Sequence, residues 1–132
     1  MKRTLACLAA LAIAAPALAQ GGPLIGESAT THKLPSLAEA RDCAAATGYW
    51  VSIRRVAQKP SRIYESSLAA WSTYIQRQTR EAQAKVQGDI MADVQGRAKN
   101  RDSSWALKTL VACAAFERQP APPPALADKA AP

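Results

Sequence analysis

Histidine and phenylalanine each occur once in the 132 residues, methionine twice, and aromatic residues make up only 5%. The lone His32 lies beside Lys33 in a stretch broken by glycine and proline, so neither a Ser-His-Asp nor a Cys-His arrangement has an anchored histidine to use. No GxGxxG or GxxxxGK pattern occurs, which leaves no phosphate-cradling loop. Acidic residues are few, 10 against 17 Lys and Arg, giving a net charge of +7. Between Ser36 and Arg118 glycine stands only at 48, 88 and 96 and proline only at 60. That scarcity of breakers argues for long helices and against a sheet.

The N-terminus reads MKRTLACLAALAIAAPALAQ. Lys2 and Arg3 form a positive start, Leu5 to Ala15 an apolar run, and Ala17-Leu18-Ala19 the small-x-small pattern cut by a signal peptidase. A signal peptide over residues 1–19 is expected, and its apolar run falls short of the roughly 20 residues a membrane-spanning helix needs. No later segment is apolar enough to span a bilayer, so no transmembrane segment is expected after cleavage. Lys2 and Arg3 leave with the signal, taking the net charge from +7 to +5. Cys7 leaves too, and Cys43 and Cys113 remain as an even pair. In an oxidising compartment such a pair reads as one disulfide. The expected location is a bacterial periplasm, or beyond it by export.

Residues 20–35 carry glycine and proline without periodicity and read as a flexible leader. Residues 119–132 are rich in Pro and Ala and read as a disordered tail. The helical domain is expected over 36–118. Its first helix opens with a capping box at Ser36 and Glu39 and runs to about Gln58, because Pro60 disfavours helix at Lys59. Ser61 caps a second helix. Tyr64, Leu68, Trp71, Ile75, Gln78 and Ala82 follow one face, and Val86, Ile90, Val94 and Ala98 continue it at steps of four. Such steps overshoot a turn, so the apolar stripe swings round the helix. A charged series, Arg77, Glu81, Lys85, Asp89, Asp93 and Arg97, runs alongside as an ion ladder. A third helix starts near Asp102 or Ser103 and stops before Pro120.

The fold class expected is all-α: a small three-helix, up-down-up bundle with one long central helix and a disulfide between helices 1 and 3. Trp50, Trp71 and Trp105 would supply an aromatic core. A straight second helix to Ala98 would leave Cys43 and Cys113 about 18 Å apart along the bundle, beyond the reach of a disulfide. The helix must therefore end at Gln95 with Gly96 as its cap, or kink at Gly88.

With both remaining cysteines bridged, no Cys/His metal site can be assembled, and neither metal nor cofactor is expected. Asp89 and Asp93 lie one turn apart, but Lys85 and Arg97 flank them and the ion ladder accounts for them. Arg54, Arg55, Lys59 and Arg62 surround the first interhelical turn, and Arg97, Lys99 and Arg101 the second. These clusters fall near opposite ends of the bundle. They form no single basic stripe with stacking residues, so nucleic acid is not the expected partner. An envelope protein or an anionic envelope surface suits the first cluster better. Trp71 and Tyr74 could form a protein interface, although Trp71 fits the core better, and self-association is possible. Three function classes follow. A non-enzymatic cell-envelope interaction or structural module comes first. A periplasmic stress holdase comes second, although few acids are placed for an acid switch. A small envelope hydrolase using Glu65, Glu81 or Glu117 comes third, and nothing in the spacing pairs two of these across a cleft.

Overall fold

The computed structural model describes residues 22–99 and 103–119, and the expected signal peptide and most of the Pro/Ala-rich tail lie outside them. Four helices follow one another: α1 (Leu37–Val56), α2 (Arg62–Thr79), α3 (Gln83–Ala98) and α4 (Ser104–Cys113). Two short strands flank them, β1 (Leu24–Ile25) and β2 (Glu117–Arg118), paired antiparallel with Leu24 opposite Arg118.

α1 starts where its sequence dictates. The Glu39 N–H donates to Ser36 Oγ at 3.1 Å and the Ser36 N–H donates to Glu39 Oε2 at 2.7 Å, closing the capping box. That backbone bond, helped by Lys33, holds the Glu39 carboxyl below its usual range. Ser36→Ala is expected to cost about 1 kcal/mol, read as a lower urea midpoint with an unchanged slope. The inner face of α1 is almost all small residues, Ala40, Ala44, Ala45, Ala46 and Gly48, so other helices approach its backbone closely. A Cβ on Gly48 would come within 3.1 Å of Val94 Cγ2, which places α3 directly against this position.

The long central helix is instead two. Arg80 takes the left-handed conformation (φ 58°) and caps α2, its N–H donating to Gln76 O. Thr79 adds to the stop: its hydroxyl donates to Ile75 O and accepts from the Glu81 N–H. The break at residues 80–82 replaces both expected remedies, since Gly88 and Gly96 lie inside α3. It lets the swinging stripe turn as well. Trp71 and Ile75 of α2, and Val86, Ile90 and Val94 of α3, join one core on α1. The disulfide Cys43–Cys113 links α1 to α4 across a Cα separation of 5.8 Å.

Residues 22–35 are not a loose leader. The Gly26 N–H donates to Phe116 O, the Ser28 hydroxyl accepts from the N–H groups of Thr30 and Thr31, and Tyr74 donates to Pro35 O. Burial pushes the Tyr74 hydroxyl's pKa up. The expected third helix also ends early, at Cys113, and gives way to a turn and β2. Neither Ser61 nor Ser103 caps its helix through the side chain.

The aromatic core is only partly as expected. Trp71 is fully buried (0% exposed), edge-on to both Tyr74 and Phe116. Its indole N–H and the Ser67 hydroxyl both donate to Glu117 Oε1, at 2.7 and 2.5 Å, which fastens β2 to α2. Trp71 is therefore core and unavailable to the suggested interface, while Tyr74 is half-buried. Trp50 pairs with Tyr64, and Trp105 packs on Tyr49, away from Trp71.

Candidate functional site

The α1–α2 connection carries the basic cluster. α1 ends at Val56, Gln58 turns the chain with φ 53°, and Pro60 precedes α2. The Lys59 N–H donates to Arg54 O and the Arg54 Nε to Pro60 O, so the turn is tied at both ends. The guanidinium of Arg54 lies 5.4 Å from the Tyr64 ring centroid, a cation–π contact that aims it along the hairpin. Arg55 donates through Nε and Nη2 to Glu65 Oε1 at 2.9 and 2.5 Å. These bonds, with one from the Ser61 hydroxyl, hold the Glu65 carboxyl below its usual range. Glu65 is thus an acid inside a cluster that looks acid-free in sequence. Lys59 and Arg62 are exposed and hold no ion pair among the described residues.

The tip has a second property that the charge pattern does not reveal. Val56 is 86% exposed and Ile63 is 79% exposed, the two most exposed of the large apolar side chains described. The hairpin therefore presents two bare aliphatic groups among four cations and one acid. Gly22 lies beside the first turns of α2, where a Cβ would meet Ser66 O at 3.4 Å.

The other sequence candidates are dispersed. Arg97 pairs with Asp42 of α1 and covers the Trp105 ring at 4.9 Å, Lys99 is exposed, and Arg101 lies outside the described residues. The ion ladder is reduced to Lys85 with Asp89 and Glu81, at 2.8 and 3.1 Å: Arg77 lies on α2, across the break, and Arg97 is taken by Asp42. These partners, Asp89 first, push the Lys85 pKa up. The three candidate acids hold separate partners: Glu65 has Arg55, Glu81 has Lys85, and Glu117 has Ser67 and Trp71. Among the described residues no group of three or more His, Cys, Asp or Glu could hold a metal, and no helix is long and apolar enough to cross a membrane.

Comparison with protein-family models, curated proteins and solved structures gives no match to this chain.

Proposed function

We propose that this chain is a non-enzymatic cell-envelope interaction module that docks on an anionic surface through the α1–α2 hairpin. The observation that carries the reading is the pairing of exposed Val56 and Ile63 with Arg54, Arg55, Lys59 and Arg62 at one tip. Cations draw the tip to phosphate headgroups, and aliphatic side chains too few to aggregate enter the interface once it is there. The buried disulfide supports an oxidising compartment, in keeping with the signal-like N-terminus.

The test is co-sedimentation with phosphatidylglycerol-containing vesicles against purely zwitterionic ones, at low and high salt. Each cation at such a surface is worth about 1 kcal/mol, so Lys59→Ala with Arg62→Ala should weaken binding roughly 30-fold. Wild-type binding should fall as salt rises. Equal binding to both vesicle types, or none, would overturn the reading.

A further inference from the structure

From the docking tip an open groove of about 420 Å³ runs into the body between α1, α2 and α3. Its mouth is the Arg55–Glu65 pair and its walls are Val51, Leu68, Ile90 and Met91. Ser72 lines it further in. That residue is 5% exposed, and its Oγ is buried with no hydrogen-bond partner among the described residues. A buried hydroxyl left unpaired is costly, and helices usually satisfy it through the carbonyl one turn back. The residue borders a space large enough for a small ligand, in a place where bundles commonly bind one.

Resting on the docking reading above, we infer that this groove holds one acyl chain of an anionic phospholipid drawn from the docked surface. The charges at the mouth set the direction. Arg55 exchanges the Glu65 carboxylate for the lipid phosphate, which a guanidinium grips in the same two-pronged way. Ser72 lies seven residues along α2 from Glu65, about 10 Å deeper. Guanidinium, phosphate and glycerol ester laid end to end cover that span, so an ester carbonyl arrives level with Ser72, whose buried hydroxyl turns to donate to it. The chain beyond it lies on Leu68 and Ile90. Met91, 43% exposed at the lip, is the adaptable side chain that lets an acyl chain in.

The probe is phosphatidylglycerol with a photoactivatable group on one acyl chain, incorporated in vesicles and mapped by peptide mass spectrometry. Adducts are expected on peptides carrying Leu68 and Met91. Ala69→Trp, at an exposed position on the groove's rim, should cut that labelling roughly fivefold or more while sedimentation with the vesicles is unchanged. Met91→Glu should act in the same sense. Adducts confined to residues 54–63, with sedimentation intact, would overturn the groove and leave hairpin docking standing. Labelling insensitive to both variants would overturn it equally. Loss of sedimentation from wild-type protein would remove the docking reading, and the groove's lipid with it.

Discussion

Replacing Cys43 and Cys113 together with alanine should lower stability by about 4 kcal/mol. The bridge joins residues 70 apart, a large loop whose freedom in the unfolded chain it removes. The fold has little else to hold α4. That helix is ten residues long, packs chiefly on α1, and buries only Ala106 and Cys113 along its length. The alanine-rich face of α1 supplies close packing but few large groups to grip a partner. For a domain of this size the loss corresponds to a drop in melting temperature of roughly 15–30 °C. Thermal unfolding by circular dichroism, with and without reductant, reads it directly. A shift below about 5 °C would mean that α4 docks without its covalent tie.

Trp71→Ala is expected to cost about 3–5 kcal/mol, close to the whole stability of many small domains. The indole fills the centre of the core, and its N–H is one of two donors to Glu117. Two milder variants separate these roles. Trp71→Phe keeps most of the ring volume and loses the donor, at about 1–3 kcal/mol. Glu117→Ala leaves the ring in place and frees β2 from α2, so the partner strand β1 loosens with it. Backbone exchange at Gly26, whose N–H is held by Phe116 O, should then speed up selectively. If Trp71→Phe were as damaging as Trp71→Ala, the hydrogen bond and not the packing would dominate. An unaltered Gly26 under Glu117→Ala would remove the latch.

What could be read from the sequence follows the range of each signal. The capping box at Ser36 and Glu39 is a four-residue pattern, and the disulfide followed from two cysteines left unmatched, so both were visible. The break at residues 80–82 was not, because Thr79, Arg80 and Glu81 include neither Gly nor Pro. A non-glycine residue in left-handed geometry is stabilised there by Thr79 and by the packing of two helices on α1, which a local pattern does not carry. The swing of the apolar stripe recorded the change of direction without locating it. The two-residue strands are too short for any alternation, and Leu24 and Arg118 meet only in three dimensions. At the hairpin the charges were plain. The exposure of Val56 and Ile63 was hidden, since both look like core residues at the edges of helical stripes.

The pairing of β1 with β2 has a consequence for biosynthesis. Among the described residues β1 is the first element made and β2 the last, and Cys113 comes only shortly before β2. A chain still emerging lacks the strand that orders its own beginning, the carboxylate that anchors Trp71, and the second sulfur. Closure is therefore deferred until Cys113 and β2 have been made. Until then β1 has no partner strand and α4 no covalent tie to α1.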